Sequence, residues 1–591
     1  MEDILRFYHD ATGSIYDGDL YGLDLDLGLG LDRGRDDRST GGDENLPDLD
    51  AESDIDEEVV NHEDVEEEEE SDEEGDLDWT PLPPTFPANP VNVQPCTSVP
   101  GPVDPLPWDS PAYNFFARLF PEEMFERMAV ETNRYAEQRQ AAQGRRDRYW
   151  KEVTVADMKV FVAMNILMGI HVLPEYSCYW STDDRLRVPG IADLMGKTRY
   201  EKINQYFHLV DSAHYIPRGE DGHDPLYKVR PVVEQFRTAT KRSYVPGTAL
   251  SIDEAMIAYT GRLYFKQYIN AKLWGIKVFC LADPSNGYMM DIDVYTGKIN
   301  TPMPDGVGHH VVMKMAGDYL DRHHQLYFDN FFAGVKLAED LLRQKTYACS
   351  TIRAGRKGWP QQLNTVNTKK MDAGEIRMMS KGPLLATVWN DKRKVSILST
   401  NAPASITTVE RRAKGGKTDV RIPSSVLDYN SHMFGVDLAD QLRSYYSVGR
   451  SGVKWWRYVF WFIIQLSLVN GWNLFRAAKR PLPGNGRHFA QLQFRLDVCT
   501  ALVAGNVNKG KKKVQLDVAS AGLGSSLSSD HQIDRLYGRK AACKWCSKMK
   551  NRSKNGKTSE TVYGCTICKI HLHKGECFAS FHQELGAMQK Q

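Results

Sequence analysis

The residues of this chain whose types and spacing can do chemistry are four aspartates, Asp253, Asp329, Asp437 and Asp440, and a run of cysteines and histidines after residue 540. Carboxylates are hard oxygen donors, the ligands that Mg²⁺ or Mn²⁺ prefers. Three of them from adjacent elements can hold a pair of ions about 4 Å apart, which activates an attacking hydroxyl and stabilises the leaving oxygen in phosphodiester chemistry. Asp437 and Asp440 lie three residues apart, hence on one helix face, so Asp440 can assist. On spacing alone, solvated surface acids remain the alternative. At the C-terminus, Cys543-x2-Cys546 and Cys565-x2-Cys568 precede His571, His573, Cys577 and His582. Paired ligands at this spacing signal zinc. All eight would fill two tetrahedral sites in a cross-brace. Cys543 and Cys546 would join His573 and a neighbour, and Cys565 and Cys568 would join Cys577 and His582. A single four-ligand ribbon and a surface role for His571 stay open.

These side chains need elements to hold them. Ala249 to Asp253 is a short apolar run ending in an acid, and Ile276 to Ala282 reads as a buried strand. Met290, Ile292 and Val294 alternate with Asp291 and Asp293, the period of a strand. His310 to Leu320 fits a helix, Gln325 to Phe328 a strand delivering Asp329, Val335 to Gln344 a helix, and Thr346 to Thr351 a strand. The order β-β-β-α-β-α-β predicts a mixed α/β core. A helix near Ser431 carries Asp437 and Asp440. Upstream, Phe116, Leu119 and Phe120 form a helical turn, and Pro121 opens a helix burying Met124, Phe125, Met128 and Ala129. Val155 to Met168 continues an all-α region. Downstream, Trp455 to Phe475 is a very apolar helix. Its core from Tyr458 to Val469 is shorter than the roughly 20 residues of a membrane span and contains Gln465 and Ser467, so burial in the protein is expected.

Charge divides the chain. The net charge is -3, but residues 1–80 hold 31 Asp+Glu and 4 Arg, or -27, and the rest carries +24. Such a body calls for a polyanionic partner, nucleic acid first, and argues against a neutral metabolic enzyme. The arm cannot bury enough apolar surface to offset ordering. It reads as a solubilising tail or as an electrostatic mimic of DNA. Ser53 and Ser71 precede acids and are candidate phosphorylation sites. No secretory signal is visible. Five of the 10 Cys fall in the last 50 residues, which suits a reducing compartment and a local metal site better than a disulfide framework.

Ser251-Ile252-Asp253-Glu254, Tyr327-Phe328-Asp329-Asn330-Phe331-Phe332 and Gly435-Val436-Asp437-Leu438-Ala439-Asp440-Gln441 resemble, in order and separation, the three catalytic motifs of piggyBac-family transposases. Trp274-Gly275-Ile276-Lys277, Tyr295-Thr296-Gly297-Lys298, Thr351-Ile352-Arg353 and Tyr429-Asn430 are similar to the same pattern. Phe434 departs from it, standing where the family has Gly, and a bulky residue there would shift the start of the helix. The resemblance implies an RNase H-like catalytic core with a β-rich insertion. An all-α dimerisation and DNA-binding domain would flank it, with a small zinc domain at the C-terminus. It implies Asp253, Asp329 and Asp437 as metal ligands with Asp440 nearby, and Mg²⁺ and Zn²⁺ as cofactors. It implies cut-and-paste transposition at TTAA targets, double-stranded DNA as partner, a homodimer and a nuclear location, with no membrane association. A domesticated, non-catalytic DNA-binding protein on the same fold is the alternative.

The expected layout is a disordered arm and linker (1–108), helical domain (109–247), catalytic core (248–354), insertion (355–428), core again (429–453), helical domain again (454–505), basic linker (506–540) and zinc domain (541–585). Candidate phosphate contacts are Arg353, Arg356, Lys357, Arg411, Arg412, Lys414, Lys509 and Lys511 to Lys513, with Lys544, Lys548 and Lys550 beside the first cysteine pair. Trp359 and Trp389 can stack on bases, although core burial is the expected role of both.

Overall fold

The computed structural model describes residues 78–83, 93–269, 273–297, 303–413, 416–449, 452, 454–479, 491–504, 533–536, 540–549, 559–566 and 570–588. The acidic arm before residue 78, Lys414, Lys509, Lys511 to Lys513, Lys550 and Cys568 lie outside the described residues, as does the side chain of Arg412.

A ten-stranded mixed sheet organises the chain. Its order is Thr80–Leu82, Ile376–Lys381, Leu384–Asn390, Lys394–Ser399, Tyr347–Thr351, Gln325–Phe328, Ala249–Ala258, Leu273–Asp283 and Gln267–Ile269, with Tyr288–Val294 also pairing to Leu273–Asp283. Two contacts are parallel, Ala249–Ala258 with Gln325–Phe328 and the latter with Tyr347–Thr351. These three central strands are separated in sequence by the helices Gly306–Ala316 and Val335–Arg343, as parallel crossovers require. Central positions such as Leu250, Ile252, Leu326 and Phe328 are buried, and apolar β-formers suit a sheet covered on both faces.

Helices Ala112–Leu119, Glu122–Ala142, Val155–Ile170, Arg230–Ser243 and Trp455–Lys479 share one hydrophobic core with the sheet. Met124, Phe125, Met128 and Ala129 all face inward, as their spacing requires. Pro121 is the N-cap of that helix, one place before the expected position. A box of Thr154 and Asp157 caps Val155–Ile170, satisfying donors a helix start leaves open. Trp455–Ala478 is long and apolar enough to cross a membrane, but 89% of its most apolar window is buried inside this protein. That burial has a specific polar lock. Asn470 donates to Met289 O and accepts from Met289 N, both at 2.8 Å, so one amide completes the free edge of strand Tyr288–Val294 as a neighbouring strand would. Arg237 and Lys241 hold the buried Asp291 at 2.7 and 2.8 Å and tie a second helix to the same strand.

Two expectations change. Residues 376–399 are not a separate insertion fold, because Lys394–Ser399 pairs with Tyr347–Thr351 and the next two strands extend the central sheet outward. Within the inserted stretch, the hairpin Ile406–Ala413 and Gly416–Pro423 is a separate ladder. The linker before residue 108 is also not free of structure. Thr80–Leu82 forms the sheet edge against Met378 to Ser380, and buried Trp79 donates its indole N–H to Gly358 O at 3.0 Å. Further on, Gly101–Pro102 pairs with Tyr244–Val245.

Candidate active site and metal centre

The parallel register sets Ile252 beside Phe328, so Asp253 and Asp329 follow at the same level. Asp329 leaves its strand there, whereas Asp253, expected at a strand end, lies inside a strand that stays paired to Leu273–Asp283 as far as Ala258. Both are partly buried. Asp253 Oδ1 accepts from Glu254 N at 2.7 Å, and Asp329 Oδ1 from Phe331 N at 2.9 Å. Burial raises the Asp329 carboxyl above its ordinary range. The Phe331 amide pulls it back, the charge of Glu254 adds to the rise, and Lys277 opposes it. Glu254 and Lys277 form a 2.6 Å ion pair, and the Lys277 ammonium lies 4.3 Å from the ring centroid of Phe331, beside Asp329. The segments holding Glu254 and Lys277 are legible in the sequence; their pairing is not.

Asp437 arrives from the other side. The chain ends one helix at His432, turns through Met433 and Phe434, and starts the Gly435–Ser444 helix. Phe434 is the N-cap and the helix opens directly at Gly435, so the bulk at 434 does not displace its start. Asp437 lies exposed in the first turn, where the helix dipole favours an anion. Close approach explains the glycine at 435. A Cβ there would overlap Ser251 Oγ on the Asp253 strand and lie 3.0 Å from Pro284 Cα. Gly287, at φ +70°, brings its turn against Leu438 and Ala439 from the same side, and Asp283 holds that turn by accepting from Gly247 N and Ser285 N. Gly435→Ala is therefore expected to shift the helix and cost about 1–3 kcal/mol of stability, the usual cost of overpacking. Thermal melting reads that loss; an unchanged midpoint would mean the helix is not seated on Ser251.

The three carboxylates do not converge into one ligand group within 4.8 Å; among the described residues only two other groups do. Asp440 is held by Arg443 at 3.2 Å, so here it acts in an ion pair. Tyr429, on the preceding helix, is a further neighbour of the site. Burial pushes its hydroxyl up, and the charges of Asp329 and Asp253 add to that.

Of the basic candidates, Arg356 bonds to the carbonyls of Asn330 and Phe331 at 3.3 and 3.1 Å, and Arg353 to Asn330 Oδ1 at 3.3 Å. They brace the loop that follows Asp329. Arg353 and Lys357 are exposed next to it. Arg411 pairs with Asp391 at 2.8 Å and lies over Trp389. Trp359 and Trp389 are both buried, as expected for core residues.

One of the two tight groups is Asp305, His309 and Asp340. Asp340 already faces His309 at 2.8 Å, Lys336 at 2.9 Å and Arg343, so cations of the chain saturate it and it reads as an ion-pair network. The other is Cys543, Cys546, His573 and Cys577. Cys546 Sγ lies 3.4 Å from His573 Nδ1 and 3.6 Å from Cys577 Sγ. A Cys₃His set suits tetrahedral zinc. This corrects the expected partition, since Cys577 joins the first cysteine pair. The reason is local: Gly575 turns the chain so that Cys577, near the start of the Glu576–Met588 helix, folds back to Cys546. Cys565 faces His582 instead. His571 Nδ1 lies 2.9 Å from Thr561 O, which ties it into the local backbone. Lys544 donates its backbone N–H to His571 O, and Lys548 is exposed beside Trp545.

Comparison with known proteins adds to this geometry. A family profile described as Transposase IS4 matches residues 111–472. PiggyBac transposable element-derived protein 3 of Homo sapiens is 25% identical over 445 residues, covering 73% of this chain and 71% of that protein. PiggyBac transposable element-derived protein 5 of Homo sapiens is 24% identical over 394 residues, covering 64% and 73%. A solved piggyBac transposase synaptic complex with hairpin DNA superposes with a TM-score of 0.61 at 20% identity, covering 80% of this chain and 97% of that one.

Proposed function

The chain belongs to the piggyBac family of transposases, and from that premise we propose that it is a cut-and-paste DNA transposase acting at transposon ends. The observation that carries this reading is the meeting of three elements: Asp253 within the Ala249–Ala258 strand, Asp329 just past the end of the adjacent parallel strand at the same level, and Asp437 on a helix seated against Ser251. We read the sheet as an RNase H-like core. The donors are all hard oxygens, and the ionised form of Asp329 is disfavoured by burial and by Glu254, a penalty that a divalent cation would offset. The residues fit Mg²⁺ or Mn²⁺, held by Asp253, Asp329 and Asp437; bound there, the ions would supply charge neutralisation for in-line displacement at phosphorus.

The chain's own part is to position. Phe331 N fixes Asp329, Glu254 N fixes Asp253, and Arg353 and Arg356 hold the loop that follows Asp329. Exposed Arg353 and Lys357 offer charge to the DNA backbone beside the carboxylates. The C-terminal Cys₃His group is proposed to bind zinc as a structural site, with Cys565, Cys568 and His582 as candidates for a second ion. A homodimer, TTAA targets and a nuclear location belong to the same proposal. The test is nicking of duplex DNA bearing the terminal repeats that flank the source locus, in Mg²⁺. Nicking that stops in EDTA and returns with Mn²⁺ supports the reading; nicking indifferent to EDTA overturns it.

The second reading, a domesticated DNA-binding protein, is favoured by one observation: the three carboxylates are not gathered within 4.8 Å. It predicts binding of the same DNA with no metal-dependent cut.

A further inference from the structure

The Ser424–His432 helix ends two residues before the Asp437 helix begins, and its last turn holds a dyad that the site described above does not use. Asp428 sits partly buried behind the strand that delivers Asp329. Its Oδ2 accepts from Tyr327 Oη at 2.9 Å and from Asn401 Nδ2 at 2.8 Å. Its Oδ1 faces His432 Nδ1 at 3.2 Å, and the same Nδ1 lies 2.9 Å from the Asp428 carbonyl oxygen. Both neighbours of Nδ1 are acceptors, so Nδ1 carries the hydrogen. The ring lies over Tyr327 at 4.8 Å between centroids. Position and tilt are thus fixed on one edge and one face.

The other edge is different. Among the described residues, His432 makes its hydrogen bonds through Nδ1 alone, and its side chain is 37% exposed. Tyr429, one turn earlier on this helix, lies close enough to feel both Asp253 and Asp329. Tyr327, under the ring, is two residues before Asp329. Nε2 is therefore left open at the end of the helix that carries Tyr429 and leads on to Asp437. Asp428 favours the imidazolium, whose Nε2 is a charged donor. A fixed cationic N–H matches a DNA phosphate oxygen and repels a metal ion.

We propose that His432 is a further DNA-contacting residue of this site, held by Asp428 so that Nε2–H meets a backbone phosphate beside the Asp253, Asp329 and Asp437 face. The inference rests on the reading of that face as a DNA-processing site. The bland alternative is a histidine that merely caps its helix, where a cation suits the C-terminal carbonyls.

The groups facing His432 are Asp428 on its own helix and Tyr327 on the adjacent strand, with Cys349 on the next strand behind Asp428. Burial keeps Tyr327 and Cys349 neutral through pH 8.5. For His432, burial lowers the pKa, and the hydrogen bond and charge of Asp428 more than reverse this, so the net direction is up. Of this set, the imidazole is the group whose ordinary range lies nearest neutrality.

The experiment measures binding of the full chain to a labelled terminal-repeat duplex in EDTA, across pH 6 to 8.5 and across salt. His432→Ala is expected to weaken binding about tenfold at pH 6, to flatten the pH dependence, and to lower the salt slope by about one, the value for one phosphate contact. His432→Arg should restore affinity without the pH dependence. If His432→Ala lowers the melting temperature but leaves the pH profile and salt slope parallel to the parent, His432 is only a cap and the proposal is overturned. The reading beneath it fails separately, by an Asp253→Asn variant that still cuts in Mg²⁺.

Discussion

Asp253→Asn is expected to cut terminal-repeat DNA at least about a thousandfold more slowly than the parent in Mg²⁺, while binding that DNA with nearly the same affinity. The magnitude follows from removing one anionic ligand of a metal-held transition state, worth several kcal/mol at 1.36 kcal/mol per factor of ten. The substitution is suited to separate chemistry from folding. Asn keeps the size of Asp and keeps an Oδ1 that can accept from Glu254 N. It also removes a negative charge from beside Asp329, which burial and Glu254 already disfavour as an anion. Thermal stability should therefore be unchanged or slightly raised. A variant that loses cutting together with its melting transition would say nothing about ligation. One that keeps folding and keeps cutting would remove Asp253 from the site.

The second large effect concerns the C-terminal module. Cys577→Ala is expected to lower bound zinc by one equivalent and to open residues 540–588 to proteolysis, while the central sheet stays protected. The physical reason is the size of the local core. Beyond Cys543, Cys546 and Cys565, among the described residues it contains Ile570, Leu572 and Phe581 as buried apolar residues, with Trp108, Trp545, Cys577 and Phe578 at its margin. That is too little to hold a fold unaided. Structural zinc contributes an apparent ~10–16 kcal/mol in such modules, far more than the packing. Burial and the neighbouring thiols push the Cys577 thiol up, so without a cation these cysteines resist the thiolate form that a metal requires. Zinc content measured by atomic emission decides the matter. Unchanged zinc in Cys577→Ala would return Cys577 to the partition expected from spacing.

The Cys₃His group also shows where sequence reading runs out. Cysteine spacing identified the ligand types, but spacing does not say which pair a distant Cys577 joins; the turn at Gly575 decides that. The carboxylates were more legible. Asp253 and Asp329 each follow an apolar run, and runs of that kind must be central and buried, which makes the two strands neighbours; that the Asp253 strand continues to Ala258 was not legible. What spacing did not supply was the seat of Asp437, set by a glycine contact at Ser251 that only the packed structure displays. Phe434 illustrates the reverse. Its bulk suggested a displaced helix, yet an N-cap position places no side chain inside the helix, so bulk there is tolerated.

The linker misled for a compositional reason. Trp79 to Leu82 sits between an acidic tract and a Pro-rich stretch, and nothing local marks it as a strand. Its partners, Met378 to Ser380, lie about 300 residues away, and Pro81 is acceptable because the strand is at the sheet's edge. Basic residues were ambiguous in the same way. Arg356 has the charge of a phosphate contact, but two loop carbonyls engage it, and only its surroundings distinguish bracing from binding. Asp428 and His432 stand four apart on a helix, a pairing open to inspection in the sequence; its significance comes from Tyr327 beneath it, on a strand more than 100 residues earlier.

The central claim, that Asp253, Asp329 and Asp437 make this chain a working transposase, is tested most directly by an excision assay in cells. A reporter interrupted by the source locus element, with its flanking terminal repeats intact, is supplied with the full chain or with its Asp253→Asn, Asp329→Asn and Asp437→Asn variants. The account predicts seamless restoration of the reporter by the parent chain and none by any of the three variants. A parent chain that binds the repeats but never restores the reporter, or a variant that restores it as well as the parent, would contradict it.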